Sequence, residues 1–323
     1  MAATSSPSSD PRPGRDLGRP RFFVRLHHQG WSPRRLVEVW RAAEELGYDG
    51  VSLYDVPSRP ALECWSALAY CLGATERLLG VSLVLANPVR HPALVARMAW
   101  DLNALSGGRV VLGLGAGGEV ADLRALGLTG LDPMPARLDR LEEALLLVRR
   151  LLGGEAVTYR GRHYRVRDLA IAAPCPPPPL LVGGHGPRLL RLAAAHADVV
   201  NVGFDVAPAG WRRLRAELGR ERAAGPRAGS PLVLSHNASL DVDGRGRLTM
   251  GGTAWRERLE ELREAGVSWF FLVFADLPEL GLMRRFAAEA LPGPGRGRRG
   301  GRQPGPRGRR PGRARGRSGR MGG

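Results

Sequence analysis

Short runs of β-branched and aromatic residues alternate along residues 21–291 with longer segments whose apolar positions repeat at helical spacing. The run RFFVRL at 21–26 reads as a first strand. Residues 33–46 follow as a helix, with Ser32 as N-cap, Pro33 at the first helical position and Gly47 ending it. Further strands are predicted at 50–54, 78–85, 109–114, 180–183, 198–202, 232–236 and 268–274. Helices are predicted at 62–73, 92–105, 120–126, 135–152, 188–195, 211–223, 254–265 and 278–290. In the long helix at 135–152, Leu138, Leu141, Leu145 and Val148 keep one face apolar. The stretch VTYRGRHYRVRD at 157–168 holds two alternating runs around Arg160 and Gly161, which predicts a surface hairpin.

Eight β-then-α units in about 270 residues match the size and order of a (β/α)8 TIM barrel, an α/β fold whose active sites lie on the loops after the strands. A doubly wound sheet of two halves is the competing arrangement. Residues 1–20 and 292–323 contain no such pattern and are expected to be disordered extensions of the barrel at 21–291.

The formal charge of +17 resembles a nucleic-acid signal until it is located. Eleven arginines lie between Arg296 and Arg320 in a tail of Gly, Arg and Pro, so the rest of the chain carries +6, seventeen less eleven. The tail has no aromatic residue to stack on a base, so nonspecific RNA contact is the most it offers. All 48 basic residues are arginine, which points to GC-rich coding sequence and makes an unselected extension the simpler account of the tail. Cys64, Cys71 and Cys175 form neither a C-x-x-C pair nor a zinc pattern, so no metal is expected. Cys64 and Cys71 are seven apart in a predicted helix and are expected in the core. With no apolar run near 18 residues and no apolar segment at the N-terminus, a cytoplasmic protein is expected.

Candidate chemistry concentrates in two glycine-rich loops. In SGGRVVLGLGAGGE at 106–119 a strand runs into glycines at 113, 115, 117 and 118. Gly113, Gly115 and Gly118 fit G-x-G-x-x-G, but a Pro-broken loop and a long helix follow where a dinucleotide fold needs a strand ending in an acid. The dinucleotide reading therefore fails its context. A close-packed turn without ligand contact, or a different cofactor site, remains. The second loop, VGGHGP at 182–187, follows the fifth predicted strand and opens a helix whose free N–H groups favour an anion. Two such loops on neighbouring strands suit a cofactor with a planar ring and a phosphate.

The ordered series AAEELGYDGVSLYD (42–55), GATERLLGVSLVLANPVRHPALVAR (73–97), DLNALSGGRVVLGLGAGG (101–118), PPLLVGGHGPRLLRLAAAHADVVN (178–201) and AGVSWFFLVF (265–274) resembles the luciferase-like, flavin-dependent oxidoreductase superfamily. The resemblance covers roughly residues 22–291. It implies a (β/α)8 barrel binding coenzyme F420, favoured here, or FMN at the C-terminal ends of its strands. It also implies hydride transfer with a small organic substrate, with oxygen activation where FMN is used. On this basis Gly115, Ala116, Gly117, Gly183, Gly184, His185 and Gly186 are cofactor-binding candidates. So are Ser82 and Leu83, where the resemblance places a non-prolyl cis peptide. Asp55 is a candidate for both ring contact and catalysis, although relatives that use F420 often follow this Asp with His and here Val56 stands in its place. Glu119 is a second candidate proton donor, and His91 is read as structural. A non-catalytic flavin-binding or RNA-associated barrel is the alternative from another class. Relatives are often dimers, and the apolar helices at 62–72 and 94–105 suit either core or interface.

Overall fold

The computed structural model describes residues 19–131, 133–171, 175–203, 206–241, 248–249 and 254–291. The expected leader, apart from Arg19 and Pro20, and the whole tail lie outside the described residues, as do parts of the loops at 205–210 and 241–253.

Eight parallel strands close on themselves in sequence order: β1 (Arg21–Leu26), β2 (Gly50–Leu53), β3 (Leu79–Ser82), β5 (Val110–Gly115), β8 (Leu180–Gly183), β9 (Val199–Val202), β10 (Val233–Asp241) and β12 (Val267–Phe274). Pairing of β12 with β1 and of β10 with both β9 and β12 completes the ring. The fold is therefore the (β/α)8 barrel. Two short strands join the sheet: β4 (Leu85–Ala86) pairs with β5, and β11 (Leu248–Thr249) with β10. The hairpin forms separately from β6 (Val157–Arg160) and β7 (Arg165–Leu169).

The helices are α1 (Pro33–Glu45), α2 (Cys64–Gly73), α3 (Pro92–Leu105), α4 (Val120–Ala125), α5 (Met134–Leu152), α6 (Pro187–His196), α7 (Pro208–Ala224), α8 (Ala254–Glu264) and α9 (Gly281–Ala290). Helix α1 starts as its sequence dictates, the Ser32 hydroxyl accepting from Arg35 N at 3.2 Å, and Gly47 leaves it with φ +86°. One apolar layer lies between strands and helices. A smaller one fills the barrel, with Phe23, Val81, Val111, Leu181, Val199 and Trp269 among its members. Cys64 and Cys71 are buried free thiols. On α2 and α3 most apolar residues are core, while Tyr70, Leu94 and Leu105 stay exposed. No described helix is long and apolar enough to cross a membrane.

The third strand departs from expectation. It breaks into β3 and β4 around a cis peptide at Leu83–Val84, one bond later than the Ser82–Leu83 expected. Ser82 ends β3 in regular pairing, its hydroxyl accepting from Gly113 N at 2.8 Å and donating to Gly113 O at 3.2 Å. The chain can leave the ladder only after that clamp.

Candidate functional site

Side chains alternate between the inside and outside of a barrel strand, so each inward series can be followed from floor to mouth. On β1 it runs Phe23, Arg25 and then His27 just past the strand; on β2 it runs Gly50, Ser52 and Tyr54. On β5 it is Val111, Gly113 and Gly115; on β8, Leu181 and Gly183; on β9, Val199 and Asn201; on β10, Val233, Ser235 and Asn237. On these six strands the series starts apolar or small and turns polar or to glycine toward the C-terminal end, while on β3 (Leu79, Val81) and β12 (Trp269, Phe271) it stays apolar. An apolar floor thus lies beneath a rim of polar side chains and glycines with one apolar side.

On the β9–β10 side Asn201 Nδ2 donates to Ser235 Oγ at 2.9 Å, and Asn237 Nδ2 returns a bond to Asn201 Oδ1 at 2.9 Å. Across from them Ser52 Oγ is buried without a hydrogen-bond partner. Burial pushes the Arg25 guanidinium down to about 10. Period-two alternation along the strands is the signal these residues leave in the sequence, and the closed barrel decides which phase faces inward.

The glycines divide into two roles. A Cβ on Gly113 would lie 1.9 Å from Ser82 O, and on Gly115 or Gly183 it would lie 2.6 or 2.7 Å from a Val84 methyl. These three glycines make room for the chain's own bulge between β3 and β4. Gly117 (φ +100°), Gly184 (φ +140°) and Gly186 (φ +96°) instead turn the loops, and Gly118 and Gly186 have open space where a Cβ would stand. Ala116 is buried between the two sets. From α5, buried Arg137 donates to Gly118 O at 2.6 Å and Gly117 O at 3.3 Å, fixing the first loop from below. Gly186 then caps α6 with no side-chain bond, leaving that helix's first N–H groups to the loop side.

Asp55 sits at the rim in a lock. Its carboxylate accepts both Arg90 nitrogens at 2.7 and 3.0 Å and Ala86 N at 3.0 Å, with its side chain 1 % exposed. Arg90 also pairs with Glu63, which caps α2 by accepting from Trp65 N and Ser66 N. Burial works against the charge of Arg90, yet the two carboxylates outweigh it and hold the guanidinium protonated above its usual range. Asp55 therefore joins the end of β2 to β4 and α2. Glu119 is exposed at the N-cap of α4, without a cap bond, and His185 is exposed in the second loop. His91 is structural as read: its Nδ1 accepts from Ala93 N at the start of α3. Among the described residues no cluster of His, Cys, Asp and Glu has the arrangement to hold a metal.

A cavity of about 730 Å³ lies at the opposite end of the strands, against Val233, Val267 and Pro20. Its buried Arg222 is already spent on the carbonyls of Ala194, Ala197, Ser230 and Pro231. That end of a barrel serves stability rather than chemistry.

The fold is that of a (β/α)8 protein whose polar and glycine positions gather at the C-terminal ends of its strands. The chain belongs to the luciferase-like monooxygenase family, whose pattern matches residues 19–243. It is 35 % identical over 191 residues to an F420-dependent glucose-6-phosphate dehydrogenase of Microbacterium testaceum, a match covering 55 % of each chain. An uncharacterised protein of Mycobacterium bovis is 36 % identical over 238 residues, 66 % of this chain and 80 % of that one. The chain spans about half the length of the F420-dependent relatives it matches. In structure it resembles an F420-dependent secondary alcohol dehydrogenase solved with an F420–acetone adduct. The TM-score is 0.70 at 19 % identity, covering 84 % of this chain and 98 % of that one.

Proposed function

We propose that this protein is an F420-dependent oxidoreductase that exchanges hydride with a small organic substrate in the barrel mouth. The observation that carries the reading is the passage of the inward positions on six of the eight strands from an apolar or small floor to a polar or glycine rim, with β3 and β12 giving it an apolar side. The residues present fit such a cofactor. Ser52 Oγ is an orphaned buried acceptor and donor, and the loops at Gly118 and Gly186 leave space beside backbone. In this reading Leu83 and Val84 of the β3–β4 bulge, with Gly115, Ala116 and Gly117, would hold the ring. Gly183, Gly184, His185 and Gly186 with the first turn of α6 would hold the phosphate.

F420, when bound, supplies the hydride acceptor or donor, and the protein supplies orientation and exclusion of water. The apolar floor closes the site to water from below. Arg137 fixes the loop beside the ring, and the Asp55–Arg90 lock fixes the bulge, so Asp55 acts by positioning. FMN in the same mouth is the second reading, favoured by the monooxygenase character of the family. Fluorescence titration of the purified protein with each cofactor separately tests both. F420 binding at least tenfold tighter than FMN is expected, the reverse order selects the FMN reading, and binding of neither removes the enzyme reading.

A further inference from the structure

We propose that His27 is the proton-carrying catalytic residue of this mouth, an inference that rests on reading the site as one for hydride transfer. His27 directly follows β1 and continues the inward series of Phe23 and Arg25. The pairing of Leu26 with Leu53 sets it beside Tyr54, and the two rings meet edge to face at 5.7 Å and 87°. Leu83 N donates to Leu53 O at 2.7 Å, so the β3–β4 bulge begins one strand further along the same rim. His27, Tyr54, Leu83 and the glycine loops thus form one continuous arc of strand ends.

Among the described residues, the other ionisable groups of the arc are tied up in bonds, held protonated or set beyond the strand ends. Asp55 is locked by Arg90, and His28 is buried with Nε2 on Leu62 O at 2.9 Å. The Tyr54 phenol is pushed up by burial and stays protonated near neutrality. Glu119 and His185 sit exposed on loops beyond the strand ends. His236 lies on the outer face of β10, where Nδ1 accepts from Trp211 Nε1. The ring nitrogens of His27 have no hydrogen-bond partner among the described residues, and the ring is open to the mouth.

Partial burial, then the positive charges of Arg25 and His28, hold the His27 imidazole below its usual range. Tyr54, from β2, is the neutral group facing it. At neutral pH the ring is therefore a free base, the form that accepts a proton. With an alcohol, the substrate C–H bond breaks and its electron pair leaves as hydride to the oxidised deazaflavin. The O–H bond breaks with its proton going to the imidazole, and the C=O bond forms. The reverse direction returns both.

Diethyl pyrocarbonate, which acylates accessible neutral imidazole, tests this on the full chain with modified peptides followed by mass spectrometry. At pH 6.5, saturating F420 should slow modification of His27 at least tenfold while leaving exposed His91 within twofold. In His27→Gln, turnover of glucose 6-phosphate and 2-propanol, used as probes, should fall at least a hundredfold in kcat with KM within threefold. The acid limb of the pH profile should vanish with it. Modification of His27 at an unchanged rate with F420 demonstrably bound overturns the proposal, as does a variant with wild-type turnover and pH profile. A wild-type protein that binds no F420 overturns the reading beneath it instead, so the two failures are separable.

Discussion

Gly113 and Gly118 belong to the same motif and answer to different constraints. Alanine at Gly113 brings a methyl within 1.9 Å of the Ser82 carbonyl, in the clamp between β3 and β5, where neither backbone can yield. Gly113→Ala is expected to cost about 3 kcal/mol in urea unfolding, and Gly118→Ala, which meets nothing within 4 Å, less than about 0.5 kcal/mol. His236 gives a residue-scale prediction of another kind. Burial first, then the charge of Arg258, pushes it down to about 4 from 6.5. Between those values the unfolded chain binds a proton that the folded chain refuses, so stability is full above pH 6.5 and falls as pH drops toward 4. The loss between pH 7.5 and 5 amounts to about 2 kcal/mol from this residue. His27 and His196 are lowered too and add in the same direction. The difference between wild type and His236→Gln, in urea curves at both pH values, isolates the share of His236.

Among elements, the strand ends depend on one another through few side chains. Arg90 connects the end of β2, through Asp55, to the cap of α2, through Glu63, while Asp55 also holds Ala86 N in β4. Arg90→Ala leaves the Asp55 carboxylate buried without its cation and should cost about 3–5 kcal/mol. Adding Asp55→Ala should return part of that loss, because the stranded charge goes with it; strict additivity in the double-mutant cycle would exclude the lock. Helices and strands were legible because their periods differ and because Ser32, Pro33 and Gly47 mark ends locally. The split of the third strand was not. It depends on Val84 finding room over Gly115 and Gly183, residues far along the chain that a local pattern cannot connect. For the same reason glycines that read as a ligand cradle prove in part to be a cradle for the protein itself. Arg25, Ser52, Asn201 and Asn237 escaped notice because the inward phase of a short strand is fixed only once the barrel closes.

The whole molecule carries its charge unevenly, and this separates two binding properties. The barrel closes within residues 21–274, and eleven arginines lie beyond it in sequence, between Arg296 and Arg320. Those arginines come without aromatic residues, so they can recognise a polyanion by charge and cannot stack on bases. Heparin and single-stranded RNA columns should therefore retain the full chain to similar salt concentrations. The log–log salt slope on RNA should be no steeper than about −8, the limit with all eleven engaged. A chain ending at Leu291 should pass through both columns near physiological salt while keeping its F420 affinity within twofold and its thermal midpoint within a few degrees. Retention of the shortened chain on RNA but not on heparin would place base recognition on the barrel and break the division of roles drawn here.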